Sequence, residues 1–264
     1  MLEMGETETT LPVPSSRRRS SGIRQFARWF WHGRGGRKPW LRRTIAIAFA
    51  FLLLYPLALT LLYRVMPPPG TPLILSILIT EGGADYRWVP LSRMSASLVK
   101  AVIASEDGKF CSHTGFDWDA IDRAFENNAN GGRLRGGSTI SQQTAKNIFM
   151  PESRTMVRKA YEAYGTILIE FIWPKWRVME TYLNVAEMGP GIFGVEAAAQ
   201  HYFKKPASRI TPFEAARLTA ILPNPRNYRV IGPGPYIQRR TGQIQRLMGG
   251  VTRDRLDACV TRYR

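Results

Sequence analysis

Two stretches of the 264-residue chain concentrate side chains able to do chemistry. The first is Glu106-Asp107-Gly108-Lys109-Phe110-Cys111-Ser112-His113-Thr114-Gly115-Phe116-Asp117, which follows the apolar segment Leu98–Ala104 and puts acidic groups where that segment ends. A carboxylate half withdrawn from water at such a junction is a better base, which makes Glu106 a candidate proton acceptor. The second, Gly136-Gly137-Ser138-Thr139-Ile140-Ser141-Gln142-Gln143-Thr144-Ala145-Lys146-Asn147, reads as a helix start. Two glycines permit a close turn, Ser138 or Thr139 can cap, and Gln142 and Gln143 follow in the first turn. With Thr139 at the start, Thr139, Gln143, Lys146 and Asn147 fall on one helical face. Hydroxyl, amide and ammonium donors beside a helix N-terminus suit an anion, above all a phosphate.

Further clusters must be positioned around these two. Arg158-Lys159-Ala160-Tyr161-Glu162 opens a helix running to about Trp173, with Arg158 and Glu162 four residues apart on one face. Taken alone, such a pair is a surface ion pair contributing about 0.3–0.5 kcal/mol. Lys175–Asn184 places Glu180 and Asn184 on one face of a helix, and the glycines and alanines of 189–199 let backbones approach closely. Thr211-Pro212-Phe213-Glu214 has capping-box spacing with Pro at the first helical position, Pro223-Asn224-Pro225 stops that helix, and a basic helix over about Tyr236–Met248 follows. Ahead of the first cluster, the continuous apolar run Leu73–Thr80 reads as a strand, and Tyr86–Pro90 as extended chain. Asp119–Arg135 reads as a mobile cationic loop or lip, with a solvated turn fitting its composition equally well. Ser97-Leu98-Val99-Lys100 matches an acyl-transfer Ser-x-x-Lys, but no Lys-Thr-Gly accompanies it, so it reads as helix surface. A thiol nucleophile built from Cys111 and His113 has no other support. Two cysteines exclude a disulfide-stapled miniature fold and a Cys-rich zinc site, and Cys111 and Cys259 are expected as free thiols.

Charge and hydropathy divide the chain. The formal net charge is +17 and the pI near 10.4, so an anionic partner is expected: nucleic acid, an acidic membrane or a phosphorylated substrate. Residues 1–43 hold ten Lys or Arg against three Glu, and Thr44–Tyr63 then runs twenty residues without a charge. That length spans a bilayer core as a helix, and Pro56 is tolerated there. A buried core helix fits less well, because Pro67-Pro68-Pro69 ends the segment. A cleaved signal peptide is disfavoured by the forty residues ahead of it and the lack of a small-residue cleavage site. The positive-inside rule places residues 1–43 in the cytoplasm and the rest outside, which removes nucleic acid from the main reading. The basic arm is then a topogenic, lipid-facing segment. Beyond Tyr63 the surplus is +10, from 27 basic and 17 acidic residues, suited to a lipid-linked anion. The domain plan is a basic segment 1–43, a span 44–63, a linker 64–72 and an exported domain 73–264, predominantly helical.

Taken together the motifs resemble the peptidoglycan glycosyltransferase family, the polymerase module of class A penicillin-binding proteins and its stand-alone monofunctional form. The resemblance is carried by Glu106, Asp107, Phe110, His113, Gly115 and Asp117; by Gly136–Asn147; by Arg158, Lys159 and Glu162; and by Lys175, Glu180, Tyr182, Leu183 and Asn184. Val178-Met179 replaces the usual Ile-Leu, and Cys111 stands where the family often carries Pro. With the glycine- and alanine-rich cluster of 189–204, five ordered motifs cover roughly residues 73–225, and with no transpeptidase module following, the monofunctional type is the match. The resemblance implies a mainly α, lysozyme-like fold with a small, flexible membrane-facing lobe, here part of 115–150, preceded by one transmembrane helix. It implies transfer of a glycan chain from a lipid pyrophosphate to the 4-hydroxyl of lipid II, giving β-1,4 strands with inversion at the inner membrane. Glu106 matches the family's base and Glu162 its second essential carboxylate. Asp107, Phe110 and His113 are implied as shaping residues. Ser138, Thr139, Gln142, Gln143, Lys146, Asn147, Arg158, Lys159 and Asn184 are implied as substrate-binding. The implied partners are lipid II, the lipid-linked nascent glycan, membrane lipids and other wall-synthesis and division proteins. No protein-held metal site is implied by the sequence, although a divalent Mg or Mn ion at the pyrophosphate is compatible with the family. A lysozyme-like glycan cleaver also uses a Glu on such a scaffold but has no need of cations at Lys146 and Arg158. A non-catalytic membrane-tethered scaffold is the alternative outside enzymes.

Overall fold

The computed structural model describes residues 39–129, 137–151 and 155–262. The chain forms two compact units, Met1–Leu53 and Leu54–Arg264. In the first, the described residues belong to α1 (Pro39–Tyr63), whose apolar side chains Ile45, Ile47, Phe49 and Phe51 are exposed. Its stretch Trp40–Tyr63 is long and apolar enough to cross a membrane, starting a few residues ahead of the predicted Thr44.

The second unit is mainly helical. After α2 (Pro72–Thr80) come β1 (Asp85–Tyr86), α3 (Ala96–Glu106), α4 (Trp118–Ala129), α5 (Ile140–Phe149), α6 (Met156–Ile172) and α7 (Lys175–Val185). Then follow β2 (Glu187–Gly189), β3 (Ile192–Phe193), α8 (Gly194–Ala198), α9 (Pro212–Ile221), α10 (Pro235–Arg253) and α11 (Ala258–Thr261). The strands form one small sheet in the order β1-β3-β2, parallel between β1 and β3 and antiparallel between β3 and β2.

Three expectations are corrected. Leu73–Thr80 is helix, not strand: Thr71 caps it by accepting from Ile74 N, and Pro72 sits at its first position. An unbroken apolar run carries no period, and the Thr-Pro start decides it. The region expected as loose from Asp119 begins instead as α4, whose Ala120 N–H donates to Asp117 Oδ1 at 3.0 Å; residues 130–136 lie outside those described. Cys111 and Cys259 are not free thiols but a disulfide with Cα atoms 5.6 Å apart. Their separation of 148 residues hid this, because only the return of α11 to the turn after α3 brings them together.

The centre of the unit is α7, in which every residue from Arg177 to Val185 is buried. Helices buried all round are ordinarily apolar, so its polar residues must be satisfied. Glu180 Oε2 accepts from Leu91 N at 2.7 Å, and Asn184 both accepts from Val89 N and donates to Val89 O at 2.9 Å. These bonds fix the chain entering α3. At the other end Arg177 donates to Tyr63 O and Met66 O, while Trp173 Nε1 donates to Thr60 O at 2.7 Å. Arg177 thus satisfies Tyr63 O, which the end of α1 leaves without a helical partner, while Thr60 O also accepts from Arg64 N at 3.1 Å. Gly194, at φ +81°, lies so close to Asn184 that a Cβ would sit 2.3 Å from its carbonyl oxygen, which ties α8 to α7 at contact distance.

Candidate active site

The first two motif blocks are knitted together by buried hydrogen bonds. Glu106 ends α3 and Asp107 caps it, its N–H donating to Ile103 O. The Asp107 carboxylate accepts from Ile140 N, the first residue of α5, and faces His113 Nε2, all at 3.0 Å. His113 Nδ1 accepts from Gly115 N at 3.1 Å, so the ring proton sits on Nε2 and points at Asp107. Thr139 donates from Oγ1 to Gly115 O at 2.6 Å and forms a reciprocal capping box with Gln142. Phe110 is fully buried, with the Lys175 ammonium 4.6 Å above its ring. Lys175 also pairs with Glu170 at 2.8 Å, and Glu170 accepts from Ser141 of α5.

That frame aims Glu106. Its Oε1 accepts from Ser105 Oγ at 3.1 Å and lies 3.5 Å from Arg240 of α10, while Oε2 accepts from Gln143 Nε2 at 3.2 Å. Arg240 also donates to Ser105 at 2.9 Å. Every partner is a donor, as a carboxylate requires, and Oε2 keeps a lone pair for an incoming proton. Gln143 in turn accepts from the Tyr182 hydroxyl at 3.2 Å. Burial above all, and then the charges of Glu106 and Asp107, push that phenol well above its usual value, so it stays a donor.

The cations gather on the other side of Gln143. A cavity of about 500 Å³ is lined by Gln143, Lys146, Asn147, Arg158 and Tyr182, with Leu73 and residues 222–227 on its walls. Arg158 pairs with Glu162 Oε2 at 2.8 Å, and Lys159 with Glu162 Oε1 and, at 3.3 Å, with Ser138 Oγ. The buried Glu162 therefore holds two cations side by side. Among the described residues no group of three His, Cys, Asp or Glu forms a cage for a metal, and the carboxylate of Glu162 is committed to Arg158 and Lys159.

Of the residues singled out by sequence, Gln143, Lys146, Asn147 and Arg158 meet in the cavity. Glu106 stands beside it through Gln143, and Glu162, Lys159 and Ser138 stand behind Arg158. Asp107, Phe110, Thr139, Gln142 and Asn184 are buried and their contacts hold the scaffold. Arg240 and Ser105 were missed, as were the wall residues Pro223–Asn227 and the rim pair Arg226–Glu187 at 2.9 Å. Arg240 is one of several arginines on a basic helix, and nothing local marks it out; Pro223-Asn224-Pro225 registers in sequence only as a helix stop.

The family model described as Transglycosylase matches residues 76–248. A biosynthetic peptidoglycan transglycosylase of Rhodospirillum centenum is 51% identical over 224 residues, covering 84% of this chain and 96% of the relative. One of Caulobacter vibrioides is 48% identical over 220 residues, covering 83% and 96%, and one of Pasteurella multocida 47% over 215, covering 79% and 87%. With the family model covering well over half of the chain and relatives matched along nearly their whole length, the chain belongs to the monofunctional biosynthetic peptidoglycan transglycosylases and is a glycosyltransferase of peptidoglycan synthesis.

Proposed function

We propose that this chain extends glycan strands on the outer face of the inner membrane, passing the growing chain from its undecaprenyl-pyrophosphate carrier to the 4-hydroxyl of lipid II. A sugar hydroxyl is a weak nucleophile at neutral pH, and a positioned base accelerates its attack by about 10²–10⁴-fold. Glu106 takes that proton on Oε2. The oxygen attacks the anomeric carbon of the donor from the side opposite the pyrophosphate. As the new C–O4 bond forms, the C–O bond to pyrophosphate breaks, and the α-linked donor becomes a β-1,4 linkage. The leaving pyrophosphate needs its charge offset rather than a proton, and Lys146, Arg158 and Lys159 supply that. The ten cations among residues 1–43 support a cytoplasmic N-terminus with the catalytic unit in the periplasm. Lysozyme-like architecture with a mobile lobe is part of the same reading, as are other wall-synthesis and division proteins as partners.

One observation carries the proposal: Gln143 donates to Glu106 at 3.2 Å and lines the cavity shared by Lys146 and Arg158. A base and an anion cradle are thus one side chain apart. The test is strand formation from purified lipid II by the wild type, Glu106→Gln and Lys146→Ala. Both variants are expected to lose nearly all polymer; full product from Glu106→Gln refutes the base.

A further inference from the structure

We infer that α2 is a second membrane contact, its outward face of Leu75, Leu78 and Ile79 lying in the lipid surface on the catalytic unit's side of the bilayer that α1 crosses. From Pro72 to Thr80 the helix has no charged residue, and it uses only one face on the protein. Ile74 and Ile77 are buried against Phe193, with Ala84 and Tyr86 around them. Leu75, Leu78 and Ile79 remain 53%, 49% and 81% exposed. Single exposed apolar residues need no explanation. Three on a nine-residue helix, at the spacing of one face, form a patch that calls for an occupant.

Two observations identify the occupant as lipid. The first is position along the chain: residues 64–71 alone separate the end of α1 from α2. The second is that this connection is held down. Arg177 donates to Tyr63 O and Met66 O. Tyr86 then donates from its hydroxyl to Pro68 O at 2.7 Å while its side chain packs against the inner face of α2. Arg177 thus fixes the end of α1 and the start of the connection, and Tyr86 fixes its middle while packing on α2, so α2 stays beside the point where the span leaves the bilayer. An apolar helix fixed at that level meets acyl chains and headgroups before it meets another protein. The contact is separate from any lobe within residues 115–150. Because Leu73 of α2 also lines the cavity, the contact brings the cavity wall to the lipid surface, which is where a substrate with its tail in the bilayer presents its pyrophosphate; this last consequence rests on the proposed function.

Nitroxide accessibility in the full chain tests the inference. The chain is reconstituted in phosphatidylethanolamine–phosphatidylglycerol vesicles under non-reducing conditions, so that Cys111 and Cys259 stay paired. Labels are placed singly at Ile79→Cys, at Phe49→Cys within α1, and at Gln245→Cys, an exposed polar position on α10. The Ile79 label is expected to be open to oxygen and shielded from a water-soluble nickel chelate, like the Phe49 label and unlike the Gln245 label. Free access of the chelate to Ile79 while Phe49 is shielded overturns the inference. Shielding of Ile79 from both reagents, with dipolar coupling between the Ile79 labels of two chains, shows a second copy on this face and overturns it equally. The readout is independent of turnover, so failure of the polymerase reading leaves it intact.

Discussion

Gln143 holds Glu106 by its amide nitrogen at 3.2 Å and takes the Tyr182 hydroxyl on its amide oxygen at the same distance. The fully buried Tyr182 therefore fixes which end of the amide faces the carboxylate. Gln143→Glu reverses the sign of that contact by setting two carboxylates together. It is expected to cut polymerisation of lipid II by about 10²-fold or more, whereas Gln143→Asn, which keeps the amide but shortens its reach, retains more. A Gln143→Glu enzyme with wild-type turnover removes Gln143 as the residue that orients the base.

Glu162 binds Arg158 and Lys159 on its two oxygens, which keeps two cations close together beside the cavity. Arg158→Ala and Lys146→Ala are expected to lower kcat by about 10²–10³-fold, the usual loss when one donor to a developing anion is removed. Glu162→Gln is expected to act differently, lowering stability by about 1.5–3 kcal/mol as charged hydrogen bonds are lost. Thermal denaturation and steady-state turnover measured on the same preparations separate the two effects. Wild-type stability in Glu162→Gln means the pairs do not hold the site.

Buried phenols give the fold an alkaline limit. Burial raises Tyr182, Tyr86, Tyr161 and Tyr202 above the usual phenol value. Unfolded tyrosines lose their protons near pH 10, so the unfolded state ionises first and stability falls as pH rises beyond that point; below it the contribution is complete and flat. Tyr182→Phe is expected to be less stable by about 1 kcal/mol below pH 10, for the lost bond to Gln143, and to lose stability less steeply above pH 10, so that the deficit shrinks there. Denaturation midpoints from pH 8 to 11 measure both, and an unchanged alkaline slope in Tyr182→Phe discounts the burial of this phenol.

What the sequence made legible was local. The caps at Thr139 and Thr211, the helix faces carrying Arg158 with Glu162 and Gln143 with Lys146, and the twenty uncharged residues before Arg64 all follow from spacing within a few turns. What it withheld depended on contacts between distant segments. Asn184 shares a face with Glu180 as expected, yet which polar face is turned inward is decided by the chain around Val89 and Leu91, nearly a hundred residues earlier. Arg240 reaches Glu106 across 134 residues. The apolar run Leu73–Thr80 lacks a period, and its helical form is settled by two residues at its start.

The Cys111–Cys259 bridge joins the turn that carries Asp107, Phe110 and His113 to α11 at the end of the chain. It closes a loop across 148 residues, and in the chain-entropy model so long a loop restricts the unfolded chain strongly, with native disulfides commonly contributing about 2–5 kcal/mol. Its effect extends to the site, because Cys111 follows directly on Phe110, whose ring carries Lys175, and lies four residues from Asp107, which fixes the start of α5. Cys111→Ser with Cys259→Ser is expected to lower the unfolding free energy within that range and to reduce turnover at 37 °C more than at 15 °C, as the turn loosens. Reduction of the wild type should reproduce both effects, and the double variant should not respond to reductant. A double variant with wild-type stability and turnover would show that burial of Phe110 and the bonds of Asp107 hold the turn without the bridge.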